Sequence, residues 1–106
     1  MVRTTNSKST VRVPATDVYE TESSYLLLAE LPGVSREALE VDVEGREVRI
    51  FGTRDEQFGG GEFRRTFILG PGLRGDAVEG SLSNGVLRLE IPKAVPAKRR
   101  VDVATA

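Results

Sequence analysis

The sequence predicts an antiparallel β-sandwich, and three observations lead to that fold class. Branched and aromatic residues alternate with charged residues from Asp17 to Pro92, which is the period-two pattern of half-buried strands. Glycine, proline and asparagine interrupt the pattern at short intervals, as tight turns require. No long stretch has the helical period of about 3.6 residues. Seven or eight short strands in about 80 residues favour two packed antiparallel sheets.

Seven segments have the composition of strands. The first is short and polar, as suits an exposed edge, whereas the second has apolar residues on both faces, as suits an inner strand. The predicted strands are, in order, Asp17–Glu22, Ser24–Leu31, Leu39–Glu44, Glu47–Gly52, Phe63–Leu69, Asp76–Leu82 and Val86–Ile91.

The connections between these strands carry recognisable turn chemistry. Pro32-Gly33 suits a turn that needs a fixed φ followed by a positive φ. Gly45-Arg46 and Asn84-Gly85 predict tight hairpins, and the second is the strongest hairpin signal in the chain. We expect Ser35 to cap a single helical turn over Arg36–Ala38.

The 106 residues and 11.5 kDa allow one small domain with tails, because a second core would need more chain. We expect a short N-terminal arm over 1–15, a sandwich over 16–93 and a C-terminal extension over 94–106. The arm is rich in serine and threonine and lacks periodicity, so the sequence predicts disorder there.

Charge and composition exclude several function classes. The net charge of −1 gives no general attraction to nucleic acid or to a membrane, and neither is an expected partner. The chain has no histidine and no cysteine, which rules out imidazole bases, thiolate nucleophiles, disulfides and Cys/His zinc sites. We therefore expect no metal site and no enzyme. The apolar runs are too short to span a bilayer or form a signal peptide, so we expect a cytoplasmic protein.

Two glycine-rich segments resemble nucleotide-binding loops without their context. Gly70–Gly75 matches G-x-G-x-x-G, but Pro71 removes an N–H group and a predicted strand follows instead of a helix. Gly59–Gly61 lacks the Lys-Ser/Thr ending of a phosphate-binding loop. We interpret both segments as connections between strands and expect no cofactor.

An arginine lies on a predicted apolar strand face. Arg65 shares its face with Phe63 and Phe67, although arginine is seldom buried without a carboxylate partner. Two interpretations remain open: the side chain reaches solvent along an apolar wall, or it is a paired arginine at an interface.

The C-terminal extension contains two valines around one acid. In an extended segment Val101 and Val103 lie on one face, about 7 Å apart. Such a pair suits insertion into a groove or along a sheet edge; the alternative is a chance arrangement in a charged tail. We interpret the neighbouring run Lys98–Arg100 as solvated.

These blocks together resemble the α-crystallin domain of small heat-shock proteins, from about Val13 to Val103. The best match is Gly80–Leu87 with the following strand that ends in Pro92-Lys93. Ala29–Val34, Leu39–Gly52 and Phe63–Leu69 support it through their order and spacing. The resemblance implies an immunoglobulin-like β-sandwich.

The resemblance also implies a function and partners. It implies an ATP-independent holdase that binds unfolding client proteins, forms homodimers or larger homo-oligomers, and passes clients to ATP-dependent chaperones. The alternative is a co-chaperone or adaptor sandwich that binds a folded partner chaperone.

Site residues follow from the resemblance alone. Val101 and Val103 match the family's I-x-I/V motif, which docks in a groove between two strands of another subunit. Arg65 corresponds to the family's arginine at the dimer interface. The implied groove residues are Leu39, Val41, Val43, Val78 and Gly80.

The chain departs from the family pattern at four places, one of which is Leu69-Gly70-Pro71, where the family usually has Leu-Pro. Gly80 stands where the signature has alanine, which we expect to open the groove. The loop over 54–61 is short compared with the strand-exchanging loop of many bacterial and plant members, which argues against that exchange here. The arm is shorter and more polar than is usual.

Overall fold

Eight strands form the computed structural model, which describes residues 10–94 and 101–105. The described part contains no α-helix, only two short 3₁₀ turns at Glu56–Phe58 and Gly75–Ala77. The strands are β1 (Val11–Arg12), β2 (Thr16–Glu20), β3 (Ser24–Glu30), β4 (Val34–Glu44), β5 (Glu47–Arg54), β6 (Glu62–Ile68), β7 (Glu79–Ser83) and β8 (Val86–Pro92).

Two four-stranded sheets make up the sandwich, with strand orders β1-β6-β5-β4 and β2-β3-β8-β7. All pairs are antiparallel except β1 with β6, which is parallel. The predicted sandwich is confirmed, with β2 at an edge and β3 in an inner position. β4 and β7 are also edge strands, one in each sheet.

The core lies between the sheets and is built by alternate residues of their inner strands. Val48 and Ile50 of β5 face Leu87 and Leu89 of β8 as part of one apolar cluster, and all four are at most 2% exposed. Burying an aliphatic side chain to this extent stabilises the fold by about 1.5–3 kcal/mol. The inner strands β5 and β8 therefore position their neighbours β4 and β7, the edge strands that frame the site described below.

The predicted turns are present. The N–H of Val34 donates to the carbonyl of Leu31 at 3.1 Å, and Gly33 has a φ of 85°, as the third residue of a type II turn requires. Asn84 and Gly85 both have positive φ, 51° and 76°, which matches the twist of a two-residue hairpin.

The prediction of a helical turn over Arg36–Ala38 is wrong. β4 already begins at Val34, which pairs with Arg54, and the register then shifts before Leu39 pairs with Gly52. Because both ends of this stretch are hydrogen-bonded to β5, the intervening residues form an extended irregularity and no helical turn.

The strand predicted from Asp76 begins only at Glu79. Gly75–Ala77 forms a 3₁₀ turn, in which the carboxylate of Asp76 binds the guanidinium of Arg74 at 3.0 Å. The N–H of Ala77 also donates to the carbonyl of Arg74 at 3.2 Å. The ion pair and this hydrogen bond favour a turn over an extended chain.

The chain is ordered before the predicted start of the sandwich. Residues 1–9 of the expected arm lie outside the described residues, but β1 occupies part of it and Pro14 is fully buried. The N–H of Glu62 donates to the carbonyl of Thr10 at 2.8 Å. Disorder over residues 10–15 is thus corrected, because the edge of β6 supplies these residues with a hydrogen-bonding partner.

Candidate functional site: a groove between two sheet edges

All five residues implied as groove residues line one open groove of about 290 Å³. The groove lies between β4 and β7, which are edge strands of different sheets. Its lining consists of Arg36, Leu39, Val41, Val43, Val78, Gly80, Ser81, Leu82, Leu87 and Leu89. The structure thus brings together residues that are far apart in the chain.

Strand alternation explains why one wall of the groove is apolar. Leu39, Val41 and Val43 line it, while Glu40 and Asp42 between them are exposed, because successive side chains of a strand point to opposite faces. Val43 is 37% exposed although it is apolar. The wall therefore has apolar surface available for a further chain.

Gly80 lets Leu89 pack closely against β7. A Cβ atom at this position would lie 2.7 Å from Cδ2 of Leu89, which is closer than non-bonded carbon atoms approach. Leu89 is buried and would have to shift to admit a methyl group. The place that a methyl group at Gly80 would take is therefore occupied by the side chain of Leu89.

The tail valines do not line the groove of their own chain. Val101 and Val103 are 63% and 88% exposed and lie in a segment, 101–105, that has no regular secondary structure and no strand pairing. They are thus available to another partner. The basic run Lys98–Arg100 lies outside the described residues.

Arg65 is held by its own chain. Its Nη1 donates to the carbonyl of Pro14 and to Oγ1 of Thr16, both at 3.3 Å, and its guanidinium lies 4.8 Å from the ring centroid of Phe67. Within the described residues no carboxylate forms an ion pair with it. Neither partner has a signal in the sequence, since Pro14 lies in the arm that is predicted to be disordered and Thr16 precedes the first predicted strand.

A second feature that sequence reasoning missed lies where the chain leaves β8. Nζ of Lys93 lies 2.7 Å from the carboxylate of Glu20 and 2.8 Å from the carbonyl of Thr21, and 5.3 Å from the ring centroid of Tyr25. The hydrogen bond from Lys93, assisted by its charge, holds the pKa of Glu20 below its ordinary value.

The described residues contain no cluster of acidic side chains that could hold a metal ion. No helix in the described part is long and apolar enough to cross a membrane.

Comparison with known proteins agrees with this geometry. The model of the Hsp20/alpha crystallin family matches residues 17–104. Spore protein SP21 of Stigmatella aurantiaca is 37% identical over 107 residues, which cover 89% of this chain and 63% of that protein. A probable 15 kDa heat shock protein of Leptospira interrogans is 33% identical over 108 residues, covering 91% of this chain and 83% of that protein. The chain therefore spans less than two thirds of the length of the Stigmatella relative.

Solved structures show the same sandwich. A small heat-shock protein from Xylella fastidiosa, described as having a distinct high order structure, superposes with a TM-score of 0.73 at 31% identity, covering 88% of this chain and 97% of that one. The hspA protein of Xanthomonas axonopodis gives 0.67 at 31% identity, covering 76% and 93%. With the sandwich and the sequence both matched, the chain belongs to the Hsp20/alpha crystallin family.

Proposed function

We propose that this protein is an ATP-independent holdase that binds unfolding proteins and prevents their aggregation under stress. The observation that carries the proposal is the open apolar groove between β4 and β7. An unfolding protein exposes apolar segments, and each Å² that is removed from water contributes about 25 cal/mol. The groove offers such a segment both apolar contact and strand edges with free backbone groups.

The C-terminal extension is the second part of the proposal. Val101 and Val103 of one copy dock in the groove of another copy and compete there with client segments. Two valines contribute only a few kcal/mol before ordering costs, so a docked tail exchanges readily. A lasting assembly then depends on several such contacts acting together.

We also propose that Arg65 lies at the interface of a homodimer or of a larger homo-oligomer. β1 pairs only with Glu62 and Phe63 of β6, so the remainder of that edge, which includes Arg65, has no strand neighbour among the described residues. An exposed edge with free N–H and carbonyl groups is a template for a second chain.

The remaining parts of the proposal concern chemistry and compartment. We propose that clients pass to ATP-dependent chaperones, that the protein catalyses no reaction, and that it acts in the cytoplasm, whose reducing conditions suit a chain without cysteine. No specific observation favours the adaptor alternative.

Light scattering from a heated client protein without nucleotide tests the holdase function. We expect suppression of aggregation at a ratio near one to one. The double variant Val41→Lys with Val43→Lys places two charges in the groove. If it no longer suppresses aggregation, the groove is needed for the holdase activity. Failure of the folded wild type to suppress aggregation at several-fold excess would contradict the proposal.

A further inference from the structure

We propose that Asp102, at the centre of the tail motif, pairs with Arg36 at the mouth of the groove, and that this ion pair sets the register of the docked tail. The inference rests on the tail docking proposed above. It adds a polar determinant to a contact that otherwise depends on two apolar side chains.

Among the described residues that line the groove, Arg36 alone is charged. Its side chain is exposed and makes no ion pair and no aromatic contact with any residue that the structure describes. It lies in the irregular stretch of β4 between Val34 and Leu39, hence at one end of the groove. Arg36 is therefore an uncommitted cation beside an apolar channel.

Asp102 supplies the matching anion. It is the only charged residue in the described segment 101–105. When Val101 and Val103 of an extended segment face the groove floor, the side chain between them faces the mouth. The long side chain of Arg36 can meet a carboxylate there without burial of either charge, which avoids a desolvation penalty.

The distribution of charge favours one end of the groove. Glu40 and Asp42 alternate with the lining residues of β4 and point to its opposite face. Among the described residues that line the groove, only Arg36 can therefore attract the carboxylate of a docked Asp102. This attraction favours the register nearest Leu39 over the register nearest Val43.

The expected effect is modest and measurable. Ion pairs at exposed positions typically change an equilibrium about two- to fivefold. Charge reversal of either partner should therefore weaken tail binding by about that factor, whereas reversal of both should restore it. The pairing should also weaken as salt is added, because exposed charges are screened.

A peptide titration tests the pairing in the full chain. The protein carries Val101→Ala and Val103→Ala so that its own tail does not compete, and the probe is a fluorescein-labelled peptide with the sequence of residues 97–106. A second labelled peptide carries Asp102→Arg, and a second protein carries Arg36→Asp in addition. Fluorescence anisotropy gives the affinity of each peptide for each protein, which makes four combinations. Arg46→Asp is the matched control, since Arg46 is an exposed arginine beyond the other end of β4 and outside the groove lining. Circular dichroism confirms that each protein is folded.

The two proposals fail in different ways. The pairing is supported if peptide affinity recovers when both charges are reversed and if Arg46→Asp leaves peptide affinity unchanged. Binding that is equal within experimental error in all four combinations overturns the pairing and leaves tail docking intact. The absence of binding by every peptide at millimolar concentration overturns tail docking and the pairing with it.

Discussion

Nζ of Lys93 lies 2.7 Å from Oε2 of Glu20, so an ion pair joins the first residue after β8 to the edge strand β2. Backbone hydrogen bonds reinforce the contact: the N–H of Lys93 donates to the carbonyl of Ser23 at 2.9 Å, and the N–H of Ala94 donates to the carbonyl of Gly72 at 2.6 Å. The chain is therefore held against the sandwich up to Ala94, by β2 and the β2–β3 turn on one side and by the loop at Gly72 on the other.

Loss of the Lys93 side chain should broaden the range of assemblies. In Lys93→Ala the extension keeps its backbone contacts but loses the ion pair and the contact with Tyr25. We expect a wider mass distribution by native mass spectrometry and little change in the unfolding temperature, since exposed ion pairs contribute little to stability. Arg49→Ala is the control, because it removes an exposed ion pair far from the exit. Identical distributions for the two variants would contradict the role of Lys93.

The same contact predicts a pH dependence. The pKa of Glu20 is lowered from its ordinary value of 4.5, first by the hydrogen bond from Lys93 and then by its charge. A lowered pKa means that the ionised carboxylate favours the folded state above pH 4.5 and that this contribution is lost as the pH falls through the folded-state pKa. The stability difference between wild type and Glu20→Gln should be small, because the ion pair is exposed, but present at pH 7 and absent in acid. A difference in urea unfolding that stays constant down to about pH 2.5 would show that the carboxylate charge has no part in it.

Arg65 should stabilise the segment that connects β1 to β2. Its hydrogen bonds to Pro14 and Thr16 involve a charged donor, and their loss in Arg65→Ala should cost about 1.5–3 kcal/mol of unfolding free energy. Because this anchor lies beside β1, amide exchange at Glu62, which donates to Thr10, should accelerate. Arg88→Ala, on β8 of the other sheet, should leave that exchange unchanged. Equal exchange in both variants would mean that Arg65 does not hold β1.

Gly80→Ala should narrow the groove. The new methyl group requires Leu89 to move, because a Cβ atom 2.7 Å from Cδ2 of Leu89 is too close for two non-bonded carbon atoms. We expect weaker binding of the tail peptide in the anisotropy titration, and a loss of about 1–3 kcal/mol of unfolding free energy, because the displaced Leu89 is a buried core residue. Gly70→Ala is a matched control, since a Cβ atom there meets nothing within 4 Å. If both variants bind the peptide as the wild type does, Gly80 does not determine the width of the groove.

Patterns that are local in the sequence predicted the fold well. Alternation predicted both ends of β5, β6 and β8 to within two residues. Asn84-Gly85 predicted its hairpin. Both signals depend only on residues that are neighbours in the sequence. β1 could not be predicted, since two residues have no period and their order comes from the distant edge of β6. The turn at Gly75–Ala77 depends on an ion pair that competes with an apparent strand pattern.

The candidate site was predictable only in part. The family resemblance implied Leu39, Val41, Val43, Val78 and Gly80, and the fold places them along one groove. Arg36 gave no such signal, because its position at the mouth follows from the irregularity between Val34 and Leu39. The partners of Arg65 were equally hidden, since they lie about 50 residues away in the chain.

A disulfide trap between two copies tests most directly whether the tail occupies the groove. The chain contains no cysteine, so cysteines introduced at two positions are the only ones that can react. Protein with Val41→Cys is mixed with ¹⁵N-labelled protein with Val101→Cys under mild oxidation, and mass spectrometry counts disulfides between the two species. Val18→Cys replaces Val41→Cys as the control, because Val18 is 55% exposed, whereas Val41 is half-buried, and because Val18 lies on β2 outside the groove lining. The proposed docking predicts that Val41→Cys gives the higher yield despite its lower exposure. A yield that follows exposure, with Val18→Cys ahead, would contradict it.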